Sequence, residues 1–297
     1  MSSPSRPATV VDQPAGAGRP PAKPVSAWLR FFRSELRLVF RRPRNLALLG
    51  VLAAVPVFLG VVFRLTLSSD QGVGGPAFLN QLAGNGVFLA LVVMPLMLAV
   101  ILPLAMAVVA GDSVAGEASH GTLRGLLAVP AGRTRLLTVK YAVIVMFAVR
   151  ACVLVTGLAL IMGLILFHTG PVTLLSGTTV SFGAGVLRIA VVALYAAAAM
   201  AALGAVGLAV STLTEHPVGA IAGLVVLVVT SEIADSVPQL SAVHPFLPTH
   251  FWLSWDGLLT SPVDWSGIEH GLLSFAAYIV IFFACAWARL SSADITS

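Results

Sequence analysis

An all-α integral membrane protein, six transmembrane helices preceded by an amphipathic interfacial helix, is the fold class this sequence predicts. Three observations predict it. Of 297 residues, 58% are hydrophobic and 10% charged, with a mean hydropathy of +0.98, against roughly 45–50% and 25% in soluble domains. Apolar runs of about 20 residues, the length that crosses about 30 Å of hydrocarbon as a helix, recur along the chain. Segments of alternating polarity, which an outer-membrane barrel needs, do not. In lipid a helix satisfies its own backbone hydrogen bonds, so the spans are helices. Cys152 and Cys285 both lie in apolar runs and read as small core residues, not as a disulfide or a metal pair.

Residues 1–25 are rich in Pro, Ser, Ala and Gly without apolar period, as expected of a disordered cytoplasmic tail. They lack the apolar core of a secretory signal. Over 26–44 the pattern changes. Trp28, Leu29, Phe32, Leu36, Val39 and Phe40 continue a three- and four-residue spacing begun at Val25, while Arg30, Arg33, Arg37, Arg41 and Arg44 line the other face. Such a helix suits the membrane interface, with Trp28 and Phe32 among acyl chains and the arginines beside anionic lipid headgroups. A helix packed on protein or a basic RNA-binding helix is the alternative, but a span starts within a few residues of its end.

Residues 45–297 form the membrane domain, with spans expected at about 45–67, 85–110, 137–167, 183–213, 217–237 and 268–288. Pro43 ends the amphipathic helix, the Gly-rich stretch 68–84 reads as an exposed loop, and Pro95 and Pro103 mark kinks in the second span. A short polar turn, 211–217, separates the fourth and fifth spans. Nine of the 17 Lys and Arg residues precede the first span, four lie in 111–140, and Arg289 follows the last span. The positive-inside rule makes that side cytoplasmic and, with an even number of spans, places both termini there. The net charge of +5 reflects this asymmetry and requires no nucleic acid.

Arg64 and Arg188 sit near outer span ends, where they can snorkel. Arg150 lies about ten residues into the third span, roughly 15 Å deep, where an unpaired charge is expensive. It reads either as a contact for an anionic headgroup or substrate, or as a structural tie to a carbonyl or acid of a neighbouring helix. Residues 238–265 carry four prolines, counting both ends, and five of the chain's large aromatics, as expected of an outer-face helical segment, re-entrant or interfacial, whose aromatics anchor at the headgroups. His244 and His250 with Asp256 match no closed metal site, so no metal is assigned. Ala197, Ala201 and Ala205, and Gly219 and Gly223, have the four-residue spacing that permits close helix approach in a bundle or dimer.

The stretch 111–140 holds both acids, Asp112 and Glu117, and bases, Arg124, Arg133, Arg135 and Lys140. Its part 111–136 reads as a cytoplasmic loop. Thr122 to Val129 can form two helical turns with Leu123, Leu126 and Leu127 on one side. From composition, a docking helix for another protein and a connector folded back on the membrane stand level.

The run Glu117, Gly121, Thr122, Leu123, Leu126, Leu127, Pro130, Arg133, Arg135 and Lys140 resembles the pattern after the second span in ABC-2 type permeases, the membrane subunits of ABC exporters. The basic amphipathic helix is similar to that family's elbow helix, and Ala288, Arg289, Asp294 and Ile295 resemble its last residues. The resemblance implies a dimer, homo- or heteromeric, whose coupling helix, here Thr122 to Leu127 with Arg124, seats in an ABC ATPase (nucleotide-binding) subunit. Glu117 matches the family's acid at the membrane–loop junction and Lys140 its lysine opening the third span. No G-x-x-x-x-G-K-[ST] run is present, so no cofactor is expected on this chain, and ATP and Mg belong to the partner. A secondary transporter needs midplane ionisable groups, of which only Arg150 qualifies, and a membrane enzyme needs a catalytic constellation that is missing. The weakly charged spans favour an amphipathic or lipid-like substrate. Fifteen Arg against two Lys, with abundant Ala, Gly and Val, point to a GC-rich genome and a bacterial plasma membrane.

Overall fold

The computed structural model describes residues 24–68, 85–119, 133–167, 170, 172–173 and 178–292. The described residues are helical almost throughout, with six helical stretches among them long and apolar enough to cross a membrane. Helix α1, Pro24–Arg41, precedes the first span, α2, Pro43–Ser68. Pro24 and Pro43 both open helices, where the missing proline N–H has no carbonyl to serve. The amphipathic helix thus starts two residues earlier and stops three residues earlier than its periodicity indicates. The expected tail, apart from its last two residues, and the expected loop beyond Ser68 lie outside the described residues.

The second span is α3, Phe88–Leu96, a π-helical turn at Met97–Ile101, and α4, Leu102–Ser119. Where kinks were expected at Pro95 and Pro103, the chain inserts this wider turn. Pro103 cannot donate to the carbonyl four residues back, and an i to i+5 turn re-pairs the freed backbone. The third span is α5, Arg133–Leu166. Residues 111–119 and 133–136, expected as loop, are therefore helical. Asp112 and Glu117 pair with bases outside α4, which lets that helix run past its apolar stretch.

One two-residue antiparallel pairing, Val172–Thr173 with Thr179–Val180, precedes α6, Phe182–Leu213. Ser211, expected in a turn, is inside α6 and fully buried, and only 214–216 separate α6 from α7, Pro217–Asp235. Three short 3-10 turns, Pro238–Leu240, His244–Phe246 and Asp256–Leu259, lead to the last span, α8, Ser266–Ser292.

Helix α6 is the centre, packed by α4, α5, α7 and α8. Its most apolar window is 78% buried, against 22% for α2 and α7 and 17% for α8. Its Ala197, Ala201 and Ala205 are buried, as their spacing predicts, whereas Gly219 and Gly223 leave the exposed side of α7. One tight backbone approach joins Gly86 and Gly163: a Cβ on either would sit 2.0 Å from the other's carbonyl oxygen. Cys152 is buried, but Cys285 is exposed on α8, the least buried span.

The segment 238–265 is pinned to the bundle. Tyr195 Oη donates to the Phe251 carbonyl at 2.6 Å, Tyr278 Oη to that of Phe246 at 2.6 Å, and Ser231 pairs with Thr249 at 2.8 Å. Trp252 and Trp255 are consequently core residues, not headgroup anchors, while Phe246 and Trp265 remain exposed. Arg188 ties α6 to this segment: its guanidinium donates to the carbonyls of Leu258, at 2.5 Å, and Thr260, at 3.1 Å.

Candidate functional site

The charges of the stretch 111–140 converge with those of α1 and α2 on one cluster. Asp112 of α4 accepts from Arg42, between α1 and α2, and from Arg44 of α2 at 2.7 Å. Lys140 of α5 is buried, and its ammonium donates to Glu117 Oε1 at 2.5 Å and to the Ser113 carbonyl at 2.7 Å. Glu35 of α1 lies 3.9 Å from the same ammonium. A buried lysine is tolerated only with such partners, because an unpaired charge there costs several kcal/mol. Burial raises the Glu35 carboxyl above its ordinary range, with Lys140 pulling it down and Glu117 pushing it up.

Ser211 fastens the same level of α4 to α6. Its hydroxyl donates to the Gly111 carbonyl at 2.7 Å and accepts from the N–H groups of Val114, at 3.1 Å, and Ala115, at 2.9 Å. Helices α1, α2, α4, α5 and α6 are thus locked together just where the chain leaves Ser119 and re-enters at Arg133.

The resemblance assigned Glu117 to ATPase coupling; its carboxylate is engaged within the chain, by the very lysine that the same motif contains. Gly121, Thr122, Leu123, Arg124, Leu126 and Leu127 lie outside the described residues. Glu35, Arg42, Arg44 and Ser211 are members of the cluster that sequence reading missed. The i to i+7 step from Glu35 to Arg42 was a usable signal, since it sets an acid near the end of an otherwise basic helix.

Helix α1 packs on α5 rather than standing free. Val39 and Phe40 lie against the core, and Phe40 meets Phe147 with ring centroids 6.0 Å apart. Arg30, Arg33, Arg37 and Arg41 are exposed, Phe32 is half-buried, and Trp28 lies in the first turns of α1. Arg150 meets neither a carbonyl nor an acid among the described residues. It is exposed, and its guanidinium stacks over the Phe40 ring at 5.0 Å. With Arg33, Arg37 and Arg41 it lines a groove of about 380 Å³ between α1 and α5. A second, apolar groove of about 540 Å³ lies along α8, lined by Phe246, Phe251, Leu273, Tyr278, Ile281 and Phe282.

None of the curated proteins matches the chain. The profile of the ABC-2 family transporter protein matches residues 40–231, from the end of α1 to the last turns of α7. That stretch is more than half of the chain and includes every cluster member except Glu35. Such proteins are membrane components of transport and associate in general with an ABC ATPase, and they are not catalytic enzymes. With this match and six apolar helices, the chain belongs to the ABC-2 transporter family, as a multi-pass membrane permease subunit of an ABC transporter.

Proposed function

We propose that the chain forms, as one of a pair of permease subunits, the export path of an ATP-driven transporter in a bacterial plasma membrane. A separate ATPase subunit, holding ATP and Mg, seats on Gly121 to Leu127, with Leu123, Leu126 and Leu127 as its apolar anchors and Arg124 beside them. Both termini face the cytoplasm.

One observation carries this reading: the ion-pair cluster of Glu117, Lys140, Asp112, Arg42 and Arg44 stands at both roots of the segment 120–132. Force applied to that segment reaches α1, α2, α4 and α5 through paired charges rather than a loose linker. ATP binding that draws two ATPase subunits together would shift the spans between states, driven by the ATPase's unequal affinity for them.

The cargo is amphipathic or lipid-like. The apolar groove along α8 suits an acyl chain or apolar peptide face, and the four arginines of the α1–α5 groove suit an anionic headgroup, with the Phe40 face holding Arg150 in place. Arg30, Arg33, Arg37 and Arg41 with Trp28 and Phe32 set α1 in the interface as an elbow helix.

Purification of the detergent-solubilised chain from its host, beside a variant with Leu123, Leu126 and Leu127 all changed to Asp, tests the proposal. An ATPase copurifying with the wild type and lost from the variant is expected. No ATPase with either chain would overturn it.

A further inference from the structure

Beyond Asp235, the last residue of α7, the chain doubles back through two 3-10 turns and returns His244 and His250 to that helix end. One ligand-capable atom from each of Asp235, His244 and His250 lies within 4.8 Å of the others. His250 Nδ1 donates to Asp235 Oδ1 at 2.6 Å, a bond whose proton a metal ion would replace, and His244 Nδ1 is 3.9 Å from the same oxygen. The three side chains are only partly exposed. Asp256, the acid that sequence spacing paired with these histidines, sits elsewhere, in the last 3-10 turn, accepting from the Gly257 N–H at 2.9 Å.

The His244 ring carries the decisive feature. Its Nε2 lies 3.1 Å from the Val237 carbonyl oxygen. A carbonyl only accepts, so Nε2 holds the proton and, in the neutral ring, Nδ1 presents a lone pair to the Asp235 carboxylate. At 3.9 Å that contact is too long for a hydrogen bond, and both atoms are electron-rich. A cation between them would turn this contact into an attractive one. A backbone carbonyl that takes the outer N–H and fixes the tautomer is also the usual support of a metal-bound imidazole. Two imidazoles and a carboxylate leave one position of a tetrahedron open, the donor set of zinc. Bonds of about 2.0–2.1 Å place tetrahedral ligand atoms roughly 3.3 Å apart, between the two observed separations. Glu232 lines the adjoining recess of about 100 Å³ with Asp235 and His250, against Leu98 and Ala99 of the π-helical turn.

We propose that Asp235, His244 and His250 form a binding site for a divalent cation of the zinc class. The site is at the end of the bundle away from the ion-pair cluster. The cation ties the end of α7 to the 238–265 segment, and water fills the fourth position.

The full chain, purified without a histidine tag and stripped with chelator, would be titrated with zinc by calorimetry and with cobalt(II) by visible absorption. One equivalent of zinc is expected. Losing even an outer-shell partner of a metal ligand costs roughly 10–100-fold in affinity, so His244→Ala and His250→Ala should each weaken binding at least about tenfold. His270→Ala should not, since that ring is exposed on α8 with Nδ1 on the Ser266 carbonyl. The cobalt spectrum of the wild type reports the site without any variant having to fold: tetrahedral d–d bands without thiolate charge transfer are expected. No zinc bound by the wild type, unchanged affinity in both histidine variants, or a thiolate band from Cys152 or Cys285 would each overturn the assignment.

Discussion

Lys140 is 5% exposed and surrounded by helix, with Glu117, the Ser113 carbonyl and, further off, Glu35 around its side-chain nitrogen. Removing one partner of a buried pair leaves the other uncompensated, typically at a cost of about 3–5 kcal/mol. Lys140→Met should therefore destabilise the chain by about that much, while adding Glu117→Gln should restore most of it. Thermal unfolding in detergent of the two single variants and the double variant measures this, and additive losses would contradict the pairing. Glu35 predicts a pH dependence. Because folding raises its carboxyl pKa, the folded chain holds that proton more tightly than the unfolded chain does. Stability then falls as pH rises from the ordinary carboxylate range through the raised value, and the cost of the ionised group persists above it. Glu35→Gln should flatten that part of the curve, seen in melting temperature against pH. Ser211 bonds three backbone groups while fully buried, and Ser211→Ala should cost about 1–3 kcal/mol by leaving them short of partners.

At the scale of elements, apolar length and proline placement made the six spans legible, because a segment that must cross hydrocarbon announces itself by composition. Their packing was not. The spacing of Ala197, Ala201 and Ala205 identified a buried face on α6, but the close backbone contact of Gly86 with Gly163 joins two single glycines whose partnership no local pattern reveals. Asp112 and Glu117 were read as loop acids because charge ends an apolar run; their partners, Arg42, Arg44 and Lys140, come from other helices, so helix α4 continues through them. Likewise His244 and His250 could not be matched to Asp235 until the 3-10 turns reversed the chain. The glycine contact gives a prediction with its own control. Gly163→Val would place a Cβ 2.0 Å from the Gly86 carbonyl oxygen, whereas Gly157, on the same helix, has nothing within 4 Å of its Cβ position. The first variant should lose at least about 1–3 kcal/mol through forced separation of α3 and α5, and Gly157→Ala should be neutral or gain up to about 1 kcal/mol. Equal melting temperatures for the two variants would show that the helices do not meet there.

For the molecule as a whole, the question is how a push at 120–132 becomes motion of the spans. Its two roots belong to α4 and α5, and those helices are tied to each other by Glu117 and Lys140 and to α1 and α2 by Asp112. Asp112 lies within α4, ahead of the segment, and holds Arg42 and Arg44, so its part here is transmission. Asp112→Asn keeps the shape and removes the negative charge that faces Arg42 and Arg44. Under the proposed function, this variant should copurify the ATPase as the wild type does, because Leu123, Leu126 and Leu127 are intact. In proteoliposomes it should move less substrate per ATP hydrolysed, since α1 and α2 no longer follow α4. Substrate flux and phosphate release measured on the same vesicles separate the two effects. An unchanged ratio would mean that the motion passes through α4, α5 and α6 alone, with Ser211 linking α4 to α6, and would remove Asp112 from the transmission path.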